Sequence, residues 1–159
     1  MLNDCTGNFP LKIEKNELQL HWFVVGMMLI TLVIYLCICY WFGHALQTPL
    51  PEERRVFIRS LFYAIAIIAF PITNLIRHIQ LRLNQTMPGN KSAKSRYLLT
   101  VIVSMMLVEG VGVLGFVMFM LGDDFNTLYI FLGLSVLGLY LYRPKIEEYQ
   151  QIVEALTDR

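Results

Sequence analysis

Four stretches of the sequence are apolar for long enough to cross a bilayer: Trp22 to Phe42, Phe57 to about Arg77, Tyr97 to Leu121, and Phe125 to Tyr142. Each crossing takes roughly 20 apolar residues as an α-helix. The fourth run is the shortest and leaves little room for tilt. Hydrophobic residues make up 56% of the chain and charged ones 16%. The charges are gathered into a few short runs between the apolar ones, which is a membrane-protein distribution. The expected fold is all-α: one bundle of four transmembrane helices over residues 1–145, followed by a short cytoplasmic amphipathic helix over 146–159.

The connections between the runs span about 14 and about 19 residues, and then only Gly122 to Asp124, so no soluble domain fits among them. Met1 to Leu20 carries Lys12, Glu14, Lys15 and Glu17 with no apolar run before Leu18. By composition it is neither a cleavable signal peptide nor a transit peptide. It reads as an amphipathic or irregular lead into the first helix. Lys12 and Lys15, the second connection with Arg77, Arg82, Lys91, Lys94 and Arg96, and the tail with Arg143, Lys145 and Arg159 all fall on one side of an even-numbered bundle. The other side has Arg54 and Arg55 beside Glu52 and Glu53, and the acidic pair Asp123 and Asp124. The bias of basic residues places both termini in the cytoplasm, with a bacterial cytoplasmic membrane as the expected location.

Cys5, Cys37 and Cys39 show no disulfide or metal spacing, and Cys37 and Cys39 lie about 200° apart on a helix. The histidines fall at helix ends and read as interfacial residues alongside Trp22, Trp41 and Tyr40. A haem between His21 and His78 would sit shallower than bundle cofactor sites do, so neither cofactor nor metal is expected. The triplets Asn84-Gln85-Thr86 and Asn90-Lys91-Ser92 have the N-glycosylation pattern but sit in the cytoplasmic connection and read as chance. In the second helix Pro71 removes a backbone donor and implies a kink. Ser60, Ala64, Ala66 and Ala69 allow close helix approach, while Arg59 and Arg77 can snorkel toward opposite interfaces.

The third run holds the one carboxylate inside an apolar stretch. Counting from Tyr97 to Leu121 puts Glu109 at the centre, about 18 Å from either end at 1.5 Å per residue and thus near the midplane. Arg59 and Arg77 are each about 13 Å away in depth. At the level of Glu109 the other helices supply Thr31, Tyr35 and Ser135, with Tyr63 within reach by a turn or two, and these are hydrogen-bond partners and not counter-charges. A carboxyl so placed is expected to rest as the neutral acid. Beside it runs a seam of small residues: Ser104, Val108, Gly112, Gly115 and Gly122. A comparable seam on the fourth helix holds Gly133, Ser135 and Gly138. Gly112, Gly115, Gly133 and Gly138 are the expected helix-packing positions.

The run from Arg96 through "YLLTVIVSMMLVEGVGVLGFVMFML" resembles the carboxylate-bearing second helix of the proteolipid subunits that form rotor rings in rotary ATPases. The resemblance implies proton or cation binding at Glu109, with Gly112 and Gly115 as packing positions. It covers about 25 of the 159 residues. The preceding helix lacks the glycine pattern of that hairpin, and the loop "QLRLNQTMPGNKSAKSR" is longer than its counterpart, which argues against an ordinary rotor subunit. The whole chain is similar to small bacterial four-helix membrane proteins of unknown function that close on an Arg-Pro, here Arg143-Pro144.

After Pro144, Ile146, Tyr149, Ile152, Val153 and Leu156 recur at helical spacing among Glu147, Glu148, Gln150, Gln151 and Glu154. The acidic polar side disfavours anionic lipid and suits docking on the basic second connection or on a partner protein. No nucleophile with an adjacent base and no phosphate loop appears, so catalysis is not expected, nor is a nucleic-acid partner. Two functions remain. One is a homo-oligomeric element that handles protons or cations through Glu109, in contact with membrane lipid. The other is a structural or accessory subunit of a larger respiratory or transport complex, with Glu109 as an interhelical hydrogen-bond donor.

Overall fold

The computed structural model describes residues 11–86 and 93–157, with side chains described from residue 19 onward except 44, 156 and 157. Within them lie five helices: α1 (Leu11–Leu46), α2 (Glu52–Thr86), α3 (Ala93–Met120), α4 (Phe125–Leu141) and α5 (Ile146–Thr157). α1, α2 and α3 are each long and apolar enough to cross a membrane. α4 and α5 meet that test together as a pair bent by 46°.

The helices outrun their apolar runs. α2 has 35 residues, about 50 Å at 1.5 Å per residue, against a hydrocarbon core of about 30 Å. Hydropathy marks only the part of a helix that lies in lipid, while the backbone hydrogen bonds continue through polar residues on either side. The connection between α1 and α2 is therefore residues 47–51 rather than about 14 residues, and α2 runs to Thr86. The lead over Leu11–Leu20 is a continuous part of α1 and not a separate segment. Cys5 and the Asn90 triplet lie outside the described residues, and so does the end of the tail at 158–159.

α3 is the central helix, with α1, α2, α4 and α5 all packed on it. Of its apolar window 44% is buried inside the protein, against 17% for α1 and 11% for α2. Glycine explains how α4 comes so near. A Cβ on Gly115 would stand 2.5 Å from the Cβ of Phe131, and one on Gly112 would stand 2.6 Å from Leu32 of α1 and 3.3 Å from Ser135 of α4. A Cβ on Gly138 would collide with Val108. Gly133 differs: nothing among the described residues lies within 4 Å of its Cβ position and the residue is exposed, so it packs on no other helix of the chain. It precedes Ser135 by two residues and so points about 200° away from the seam.

This contrast makes a prediction. Gly115→Ala must push the backbone-proximal Phe131 aside, and overpacking of that kind costs about 1–3 kcal/mol. Gly133→Ala meets open space. Thermal melts in mild detergent should show a lowered midpoint for the first variant and none for the second; equal midpoints would refute the close approach.

Each end of the bundle is tied separately. At one end the α1–α2 link is stitched to the α3–α4 turn: Thr48 N donates to Met120 O at 2.8 Å and Leu50 N to Leu121 O at 3.2 Å. Gly122 turns the chain at φ +90°, a left-handed conformation that favours glycine, against Pro49. Arg55 donates to Gly122 O at 2.9 Å, and Arg59 pairs with Asp123 at 3.2 Å. At the other end α5 folds back onto α2 and α3. Tyr149 and Ile152 of its apolar face are buried there, while Ile146 and Val153 remain partly open.

One sequence expectation changes accordingly. Arg59 and Arg77 do not snorkel freely: Asp123 holds the first, and the second is buried and paired with Glu148 at 2.6 Å. α2 is unbroken through Pro71, and the neighbouring Phe70 carbonyl accepts a hydrogen bond from Tyr142 of α4 at 2.8 Å. Of the small residues on α2, Ala66 is fully buried against Val111 and Phe131, whereas Ser60 and Ala64 are exposed.

Candidate functional site

On α3, residues three, four and seven apart share a flank, and this decides what Glu109 can meet. Gly112 touches Leu32 of α1, and the Phe116 ring stacks on Tyr35 of α1 at 5.3 Å. Glu109 lies on that same flank and is half-buried. Met106, one turn earlier, is 61% exposed, and Gly110, the next residue, has nothing within 4 Å of its Cβ position. The carboxyl therefore stands at the border between the α1 contact and an open face of α3.

The four polar residues expected at or within a turn or two of its level are divided by this geometry. Tyr35 lies within electrostatic reach of Glu109. Thr31 is on the same helix but donates to its own Met27 carbonyl at 3.0 Å. Ser135 sits on the adjoining flank of α3, against Gly112 and Val108, where it donates to Val108 O at 3.0 Å. Tyr63 faces away and stacks on Phe131 at 4.9 Å. Equal depth does not imply equal azimuth: one residue along a helix turns the side chain by about 100°, so Val108 addresses α4 while Glu109 does not. Ser135 and Tyr63 are thus not partners of the acid in this fold. Among the described residues Glu109 enters no hydrogen bond or ion pair, and the two ion pairs engage Arg59 and Arg77 elsewhere.

A second polar cluster forms where the acidic side of α5 meets Arg77, one of the basic residues on which docking was expected, though its further partners are not legible in the sequence. The Arg77 guanidinium donates to Tyr142 O at 2.6 Å, to Arg143 O at 3.3 Å and to Glu148 at 2.6 Å. The Tyr97 hydroxyl reaches the same Glu148 oxygen at 3.1 Å and receives the Lys145 N–H at 2.8 Å. His21 is fully buried within the bundle, with ring centroids 5.0 Å from Tyr97 and 6.5 Å from Tyr149. Asn84 is likewise structural: its amide donates to Arg96 O and to Thr100. The sequence signals were an arginine at the end of an apolar run and an acidic first turn on an amphipathic helix. Nothing local joins them.

Among the described residues no three His, Cys, Asp or Glu side chains are grouped as metal ligands would be. No family model, curated protein or solved structure matches this chain. The resemblance of α3 to rotor-ring proteolipids rests on its own residues alone.

Proposed function

We propose that the protein crosses the cytoplasmic membrane of a bacterium four times, with both termini inside, and works as a homo-oligomer that takes up and releases protons or small cations at Glu109. The observation that carries this reading is a carboxyl in the middle of the most apolar part of α3, beside an open helix face, with neither nearby arginine free to neutralise it. Intramembrane acids are costly to insert and mark ion pathways. A second copy seated on the Leu99, Met106 and Gly110 face would enclose the carboxyl and give it a defined access route. The same open flank suits an accessory subunit whose Glu109 donates a hydrogen bond to a different protein.

The mass of the particle in mild detergent separates the two: a closed set of identical chains is expected, and a stable assembly with unrelated subunits would favour the accessory reading. Reconstituted into vesicles and driven by a potassium diffusion potential, the purified protein is expected to take up protons. No flux above that of empty vesicles would overturn proton handling, and a sodium gradient tests the cation arm in the same way.

Orientation has its own check. Asp123 is buried and paired, so the exposed Asp124 is the residue to probe at the α3–α4 turn. In a cysteine-free background, an impermeant thiol reagent on intact cells should modify Asp124→Cys and spare Glu147→Cys in α5. The opposite pattern would invert the topology.

A further inference from the structure

α1 and α4 both pack on α3 and meet each other only sparingly. Between them this leaves a groove of about 310 Å³ near the end of the bundle where α5 begins. Its volume lies at the small end of the ~300–1,000 Å³ typical of ligand sites. Val25 of α1 and Leu139 of α4 form a buried floor, and Leu29 and Val136 form partly exposed walls. The rim toward the membrane surface is different: it carries Trp22, Tyr140 and Arg143. From Leu29 to Trp22 the lining advances seven residues, about 10 Å along α1, and on the other side it runs from Val136 in α4 to Arg143 just past that helix's end. The advance along α1 is a large part of the ~15 Å depth of one leaflet.

The groove is therefore graded, apolar at depth and aromatic and cationic at the rim. Arg143 is well placed to act as a fixed charge. Its carbonyl accepts from Arg77, which pins its backbone, and its guanidinium lies over the Tyr140 ring at 4.8 Å. Among the described residues it has no carboxylate partner, because the nearby Glu148 is engaged by Arg77. We propose that this groove binds one acyl chain of an anionic phospholipid, with the lipid phosphate held by Arg143 and the chain lying over Val25 and Leu139. Charge complementarity selects the lipid class: a zwitterionic headgroup offers Arg143 no net charge, whereas basic pockets between transmembrane helices favour anionic headgroups. The inference rests on the chain being embedded in a membrane and is independent of Glu109.

Trp22 is a built-in reporter, since the other tryptophan, Trp41, lies at the far end of α1. The full chain carrying Trp41→Phe, which leaves Trp22 alone, is reconstituted in phosphatidylcholine vesicles containing either brominated phosphatidylglycerol or brominated phosphatidylcholine. The anionic quencher is expected to act at about fivefold lower mole fraction, the preference that one cation at an anionic surface supplies. Adding Arg143→Gln should bring the two quenchers level while leaving helicity by circular dichroism and quenching by phosphatidylcholine unchanged. Val136→Phe, which fills the groove and keeps the charge, should also remove the preference. Equal quenching in the Trp41→Phe protein would overturn the proposal, as would a preference that survives Arg143→Gln. A preference that survives Val136→Phe would show headgroup attraction at the surface and overturn the groove.

Discussion

Replacing Arg77 by methionine is expected to release α5 from the bundle while the remaining helices stay packed. The substitution preserves the buried aliphatic stem and removes the guanidinium that joins Glu148 to the carbonyls of Tyr142 and Arg143. Removing one member of a buried ion pair costs about 3–5 kcal/mol when the other charge stays buried. Glu148 need not stay buried: its side chain is already 18% exposed, and α5 can swing it into water. The loss is therefore capped by the docking free energy of α5 and appears as local opening rather than global unfolding. Hydrogen exchange at the amides of 146–157 should accelerate by about a hundredfold, the equivalent of ~2.7 kcal/mol, with protection around Ser104 to Gly112 unchanged. Glu148→Gln should do less, because the two carbonyls still accept from Arg77. Unchanged protection of α5 in the methionine variant would mean that Tyr149, Ile152 and the Tyr97 hydroxyl bonds suffice to hold it.

The comparison with Arg59 shows why burial and not charge sets this ranking. Arg59 is 34% exposed and bonds Asp123 at 3.2 Å. Pairs with that much solvent contact contribute about 1 kcal/mol or less. The link there is also supported by backbone bonds from Thr48 and Leu50 that do not need either side chain.

What the sequence made legible follows from which physical terms are local. The apolar runs are legible because transfer into lipid is nearly additive over residues, so a running count of Leu, Ile, Val and Phe suffices. The stripe Ser104, Val108, Gly112 and Gly115 is legible because helical spacing alone puts those residues on one flank, and all four are buried in the bundle. Glycine content alone does not tell that Gly133 points away from the seam within the chain. Helix ends could not be read, since polar residues such as Arg82 and Asn84 continue a helix with no hydropathy mark. The contact between Arg77 and Glu148 joins positions 71 residues apart in the chain and depends on how α4 and α5 bend. Level was legible for Tyr35 and Ser135, but azimuth was not, and azimuth decided that Tyr35 lies within reach of the acid while Ser135 bonds Val108 O.

Glu109→Gln is expected to abolish proton uptake in vesicles while leaving particle mass and melting midpoint unchanged. The amide keeps the shape and a donor but cannot bind and release a proton, so it separates exchange from structure. Structural cost should be small, because Glu109 holds no hydrogen bond or ion pair among the described residues and stands beside an open face. Glu109→Asp keeps a titratable group one methylene shorter and should retain part of the flux, with a changed dependence on pH. In infrared difference spectra the wild-type protein should show a protonated carboxyl C=O band at neutral pH that is missing from the glutamine variant, because no basic residue shares its depth. Flux in the glutamine variant equal to wild type would remove Glu109 from the transport path and leave it as an interface donor. A carboxylate signal in place of the C=O band would show instead that a bound cation or a partner's arginine neutralises the acid, and would move the search to what occupies the open face of α3.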